Sequence, residues 1–248
     1  MRGRYSSAGI SYSFGPGPVS PAVKILIWTN IAVFLLQWLF PRVTLLLGLR
    51  PADLIQHLYI WQPLTYMFLH GGAFHIIFNM LALWMFGVEL ERMWGTPFFV
   101  RYYFVTGLGA AATTMIMAML PISIAERMYF ALTIGASGAI YGLLLAYALY
   151  FPNRPIYMYF LFPIPVKYFV MIVGAIAFLS SISDSGGGVA HWAHLGGLAV
   201  GYVYLRGGRL HPLSALKYRY FKWKMNRMRR RFDVYSGGRR DDRDQRVH

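Results

Sequence analysis

Ser137, His194, His75 and Asn79 each interrupt a strongly apolar stretch of this sequence. A serine hydroxyl is a weak nucleophile at neutral pH until a neighbouring base takes its proton, and a neutral imidazole is such a base. The chemistry this pair would carry is acyl transfer, with Ser137 attacking a carbonyl carbon and His194 accepting the proton. His75 and Asn79 lie four residues apart, hence on one face of a helix. They would donate hydrogen bonds to the developing oxyanion, together with the Ser137 amide. Preorganised donors of this kind contribute about 2.7–4 kcal/mol each. Tyr141 follows Ser137 by one helical turn on the same face and would pack against the imidazole.

The elements that must hold these residues are membrane helices. Of 248 residues 57% are hydrophobic and 13% are charged, where a soluble domain carries about 25% charged residues. Mean hydropathy is +0.44. So apolar a chain is not a disordered one, and it reads as a polytopic membrane protein. Cysteine is absent, which excludes disulfides, thiolate catalysis and cysteine-based metal sites. A spanning helix needs about 20 mostly apolar residues, and six stretches qualify: 22–40, 73–93, 97–120, 134–151, 165–182 and the shorter 190–205. Pro41, Pro121 and Pro152 follow the first, third and fourth. The first apolar run is longer than the roughly 7–15 residues of a signal peptide and has no small-residue cleavage site, so it is expected to be a retained helix. No internal repeat is visible, which weighs against an inverted-repeat transporter.

With six spans both ends share one side. Of the 24 Lys and Arg, all but Arg42, Arg50 and Arg127 fall on that side, 14 of them between Arg206 and Arg246. The positive-inside rule makes it cytoplasmic. In a soluble protein a net charge of +15 would suggest nucleic acid. Here its concentration beyond the last span reads as a topology signal and a lipid-headgroup contact, and no nucleic-acid partner is expected. The organisation is a cytoplasmic segment 1–21, a six-helix core 22–206 and a basic tail 207–248 whose end is expected to be disordered. Glu91 and Arg92 are expected to anchor the cytoplasmic end of the second helix.

Helices two, four and six then all begin on the outer side, so His75, Ser137 and His194 fall at similar shallow depth. Gly138-Ala139-Ile140-Tyr141-Gly142 and Gly197-Leu198-Ala199-Val200-Gly201 are both G-x-x-x-G patterns, which let helix backbones approach closely. Gly138, Gly142, Gly197 and Gly201 would thus bring helices four and six near enough for a Ser–His hydrogen bond. Tyr59, Trp61, Tyr66 and Phe68 in the long outer loop 41–72 suit the membrane interface. The glycine-rich stretch 183–189 is flexible by composition.

Gly135-Ala136-Ser137-Gly138 on helix four, Ala193-His194-Leu195-Gly196-Gly197 on helix six and His70-Gly71-Gly72-Ala73-Phe74-His75-Ile76-Ile77-Phe78-Asn79 on helix two resemble the G-x-S-G, A-H-x-x-G and H-x-x-x-x-H-x-x-x-N motifs of the rhomboid family. Glu91-Arg92-Met93-Trp94-Gly95 resembles the end of that helix in rhomboids. The resemblance covers about 24–206 and implies an all-α, six-transmembrane-helix bundle. It also implies an intramembrane serine protease that cleaves transmembrane protein substrates in or next to their helices and needs no cofactor or metal. Ser137 would be the nucleophile and His194 the base with Tyr141 stacked on it. His75 and Asn79 would assist the oxyanion, with Gly135 and Gly138 flanking the serine. The long first loop would lie against the membrane, and the fifth helix with the glycine-rich loop would gate entry. Trp61-Gln62 departs from the Trp-Arg of many relatives, which bears on that loop's contacts and not on the dyad.

Other classes remain. His70, His75, His191 and His194 could in principle ligate zinc in a transporter or metalloprotease, but H-E-x-x-H and an intramembrane carboxylate at that depth are both missing. His70 and His191 are expected to be structural. A catalytically inactive relative acting as a membrane-protein binder would be expected to lose the serine or the histidine, and both are present. The compact core suits a bacterial inner membrane. The physiological substrate and the oligomeric state are not legible.

Overall fold

The computed structural model describes residues 15–122, 124–158, 162–182 and 188–207. The expectations placed on residues 1–14, on gating by the glycine-rich loop at 183–187 and on the basic tail after Gly207 lie outside the described residues.

The chain is an all-α membrane bundle. Helix α1 is Pro21–Leu39. A loop follows, built from three short helices: α2 (Arg42–Leu47), α3 (Pro51–His57) and α4 (Gln62–Thr65). Helix α5, Ala73–Trp94, and helix α6, Thr96–Met119, come next. Prolines open α1 and α6, where a missing N–H leaves no helical bond unmade. Gly95 alone separates α5 from α6 at φ +78°, a conformation that side chains with a Cβ rarely adopt. After the short α7 (Ala125–Phe130) come α8 (Ser137–Tyr150), a hairpin of β1 (Pro155–Met158) and β2 (Phe162–Pro165), α9 (Val166–Ile182) and α10 (Gly188–Gly207).

Helices α1, α5 and α6, with 19, 22 and 24 residues, are long and apolar enough to cross a membrane. The expected span 134–151 is different. Helix α8 has 14 residues, about 21 Å at 1.5 Å each, against about 30 Å of hydrocarbon. Its N-terminal half-turn is unwound because the backbone there is committed elsewhere. Thr133 exchanges both hydrogen bonds with Leu49, at 2.8 and 3.0 Å, and the Gly135 N–H donates to the Tyr66 carbonyl at 2.9 Å. Gly135 also sits at φ +125°, outside helical space. The helix therefore starts at Ser137, short of a full span.

The hairpin was not expected from sequence. Pro155 pairs with Pro165 and Met158 with Phe162, and both strands of a two-stranded ribbon are edges, where proline is tolerated.

Helix α1 is inverted relative to a soluble helix. Its buried face carries Asn30 and Gln37, while Ile25, Trp28, Leu35 and Trp38 are exposed. Gln37 clamps the end of the first loop, accepting from the His70 N–H at 2.9 Å and donating to Thr44 Oγ1 at 3.0 Å. At the other end of the bundle Glu91 accepts from Ser20 Oγ and Thr96 Oγ1 and from the Ala22 and Val23 amides at 2.9 and 3.1 Å. A carboxylate thus satisfies orphan donors at the positive end of α1. Arg92 donates to the Pro16 and Pro18 carbonyls, so both residues anchor the segment before α1.

The first loop has its own polar frame. Buried Gln62 accepts from the Arg50 N–H at 3.1 Å, and the Trp61 indole donates to the Leu46 carbonyl at 3.0 Å. Arg50 donates to both oxygens of Asp53 at 2.7 and 2.8 Å. Burial would raise the Asp53 carboxyl, but the Arg50 hydrogen bonds and charge outweigh it and hold Asp53 below the usual carboxylate range. A depressed native value contributes stability above the ordinary carboxylate pKa, and that contribution is lost as pH falls through the native one. Asp53→Asn is therefore expected to lower the thermal midpoint at pH 7, with the gap to wild type closing as pH falls below about 4. Thermal unfolding in detergent across that range checks it; a gap independent of pH would remove the ion pair from the loop's stability.

Candidate active site

Helix α8 presents Ser137 in its first turn, where amide N–H groups have no intrahelical acceptor and the helix dipole is positive. Helix α10 presents His194. Its Nε2 lies 2.7 Å from Ser137 Oγ, within hydrogen-bond reach for general-base chemistry. Tyr141, one turn further along α8, lays its ring on the imidazole at 4.2 Å between centroids and 4° between planes. His194 Nδ1 is buried without a hydrogen-bond partner, so no carboxylate orients it.

This proximity rests on backbone contact between α8 and α10. A Cβ placed on Gly197 would lie 1.9 Å from the Gly138 carbonyl oxygen, and one on Gly201 would lie 3.3 Å from Gly142 Cα. Helix α6 closes the same interface: a Cβ on Gly142 would meet Thr106 Cβ at 2.6 Å, and the Tyr102 hydroxyl donates to the Gly142 carbonyl at 2.8 Å. The two G-x-x-x-G patterns face each other with no room for a side chain between them.

His75, in the first turn of α5, comes from the opposite side. Its Nδ1 accepts from the Gly71 N–H at 3.1 Å, which leaves Nε2 as the protonated nitrogen and a donor. A Cβ on Gly135 would lie 2.9 Å from His75 Nε2 and 3.6 Å from Ser137 Oγ, so the space that a side chain there would fill borders both. Asn79 is buried one turn deeper in α5, and its Nδ2 has no hydrogen-bond partner. The arrangement can supply a nucleophile, a base and N–H donors around one small volume.

His70 is buried and meets the His75 ring edge to face at 5.0 Å, and His191 meets His194 likewise at 5.6 Å. Among the described residues no group of three His, Cys, Asp or Glu is placed to hold a metal ion. Tyr66 departs from its expected place at the membrane interface. It is 1% exposed, and its hydroxyl donates to the Gly107 carbonyl of α6 at 2.7 Å. Aromatic content alone gave it the interfacial reading, and nothing local in the sequence distinguishes it from exposed Trp61. Gln37 and Thr133 were likewise not legible as parts of the frame around the site.

A Gly197→Ala substitution puts its methyl carbon against backbone that cannot yield, so α8 and α10 must separate. It is expected to lower the thermal midpoint and to abolish any reaction that needs Ser137 and His194 in contact. Gly207→Ala, with nothing within 4 Å, is expected to be neutral in both. Thermal unfolding with serine-probe labelling of both variants checks this.

The Rhomboid domain family model matches residues 57–208. The chain is 31% identical over 192 residues to "Rhomboid protein 1, mitochondrial" of Saccharomyces cerevisiae, covering 73% of this chain and 51% of the yeast protein. It is 33% identical over 160 residues to "Rhomboid protease GluP" of Bacillus subtilis, covering 62% of this chain and 27% of that protein. To "Rhomboid protease AarA" of Providencia stuartii it is 30% identical over 200 residues, covering 71% of this chain and 68% of that one. The chain thus spans about half the length of the yeast relative and about a quarter of the Bacillus one.

Proposed function

The chain belongs to the rhomboid family, and from that premise we propose that it is an intramembrane serine endopeptidase with a Ser137–His194 dyad. The observation that carries the proposal is the 2.7 Å approach of His194 Nε2 to Ser137 Oγ at the start of a helix too short to span the bilayer. Ser137 Oγ attacks the substrate carbonyl carbon while His194 Nε2 takes its proton. The oxyanion receives the Ser137 amide N–H and the Nε2–H of His75, with Asn79 Nδ2 as a further donor. His194 then protonates the leaving amine, and an ester to Ser137 remains. Water repeats the sequence: it gives a proton to His194, attacks the ester carbonyl and releases Ser137 as His194 returns the proton.

Hydrolysis of the ester needs water, which hydrocarbon does not supply. The short α8 sets Ser137 below the outer surface, where a cavity open to that side delivers it. Transmembrane protein substrates approach laterally and unwind locally, since a fully hydrogen-bonded helix shields its carbonyls. Helix-weakening residues near the outer membrane face therefore favour cleavage. The charge asymmetry of the sequence supports cytoplasmic termini, and a bacterial inner membrane suits the six-helix core.

A fluorophosphonate serine probe is expected to label the detergent-purified protein, and labelling is expected to vanish in Ser137→Ala and in His194→Ala. A folded, monodisperse wild type that does not label would overturn the protease reading and favour an inactive membrane-protein binder. His75→Ala and Asn79→Ala are expected to slow labelling by about a hundredfold or less. Unchanged rates in both would remove them from the oxyanion site.

A further inference from the structure

Tyr66 is held by more partners than a loop aromatic needs. It lies in the turn between α4 and α5, 1% exposed. Its carbonyl accepts the Gly135 N–H at 2.9 Å. Its hydroxyl crosses to α6 and donates to the Gly107 carbonyl at 2.7 Å. The same oxygen hangs over the first turn of α8, where a Cβ on Gly138 would come within 3.2 Å of it. One residue therefore bonds the backbone ahead of Ser137, lies beside the first turn of α8 and is tied to α6.

The Gly135 contact is where position becomes chemistry. The side of Gly135 that lacks a side chain faces both the His75 imidazole and Ser137 Oγ, at a φ of +125° that its neighbours must maintain. The Gly135 amide, which would otherwise be free to turn, is committed to the Tyr66 carbonyl. Locally that main chain is held by the Tyr66 N–H on the Gln62 carbonyl and by the Leu69 N–H on the Tyr66 carbonyl at 3.2 Å; the hydrogen bond that its hydroxyl donates adds an anchor on α6, a helix long enough to cross the membrane. Displacement of Gly135 by a fraction of an ångström changes the spacing between the serine oxygen and the His75 donor. Reaction rates are sensitive to such displacements, with about 1 Å costing about a hundredfold.

We propose that Tyr66 is a positioning residue for the reaction at Ser137, its hydroxyl anchoring to α6 the main chain that spaces Gly135, His75 and Ser137. The proposal rests on the protease reading above. It assigns the fixed geometry of the site to a buried phenol from the first loop as well as to the glycines between α8 and α10. Tyr66→Phe isolates the effect, because it keeps the ring and the carbonyl and removes only the hydroxyl.

The test follows fluorophosphonate labelling of full-length wild type and Tyr66→Phe over time and probe concentration. It resolves three quantities: the rate constant at saturating probe, the half-saturating concentration and the final labelled fraction. A positioning role is expected to lower the saturating rate constant about tenfold, with the half-saturating concentration and the labelled fraction unchanged. A merely structural role would lower the labelled fraction and the thermal midpoint, leaving the molecules that remain folded to react at the wild-type rate constant. A wild-type rate constant in Tyr66→Phe overturns the proposal, whatever happens to the amplitude. So does a loss that lies wholly in the half-saturating concentration. An unlabelled wild type is the separate failure of the protease reading.

Discussion

Two helix backbones in contact at Gly138 and Gly197 set the spacing on which the whole site depends. A Cβ at Gly197 would lie 1.9 Å from the facing carbonyl oxygen, so the approach is limited only by main-chain atoms. Within a bilayer, lipid tails are as apolar as leucine, and helices associate through close packing and hydrogen bonding. The glycines give α8 and α10 such a surface. That surface also puts Ser137 and His194, which lie just to the N-terminal side of the glycine pairs, within hydrogen-bond distance. The packing that joins the two helices and the approach of the two side chains are one geometric fact.

The remaining elements keep that contact from opening and bring the third side of the site to it. Helix α6 packs along the α8–α10 seam with Thr106 and Tyr102. The first loop reaches in from the other side, through Leu49 to Thr133 and through Tyr66 to Gly135 and Gly107. The extended segment before Ser137 finds its hydrogen-bond partners in this loop. Backbone that is neither helical nor in a closed barrel is tolerated at membrane depth only where protein or a water-lined cavity satisfies it. The loop is therefore part of the interior. Its exposed Leu45, Leu46, Leu58 and Ile60 face outward, while Gln62 and the Arg50–Asp53 pair hold its shape from within.

Much of this was legible in the sequence because the membrane restricts the choices. Runs of apolar residues ended by Pro41 and Pro121 located α1 and α6 to within a residue or two. Span parity put Ser137, His75 and His194 at matching ends of their helices, where each lies in the opening turns, and the two G-x-x-x-G patterns indicated which helices touch. Three features were not legible, each for a physical reason. The unwound start of helix four depends on pairing between Thr133 and Leu49, a long-range contact that local apolarity does not encode. The β1–β2 hairpin is bounded by prolines that mark only breaks. The burial of Tyr66 goes with a hydroxyl bond to the Gly107 carbonyl of α6, 41 residues away, and in sequence Tyr66 is indistinguishable from an interfacial tyrosine.

The imidazole of His194 has no acidic partner, and the surroundings explain the arrangement found instead. Aspartate and glutamate are absent from the whole of α6, α8, α9 and α10. A carboxylate at this depth would carry a large desolvation cost that a single neutral imidazole could not offset. A ring face carries no such cost. Tyr141, parallel to His194 at 4.2 Å, restricts the imidazole to one plane by contact alone, and Ser137 Oγ defines the direction within it. When an imidazole in this position takes up a proton, the face of the phenol attracts the resulting cation through its quadrupole. In the dyad proposed here the base is thus oriented while neutral and stabilised when charged by an aromatic ring, in a medium where an acid would be the costlier partner for both tasks.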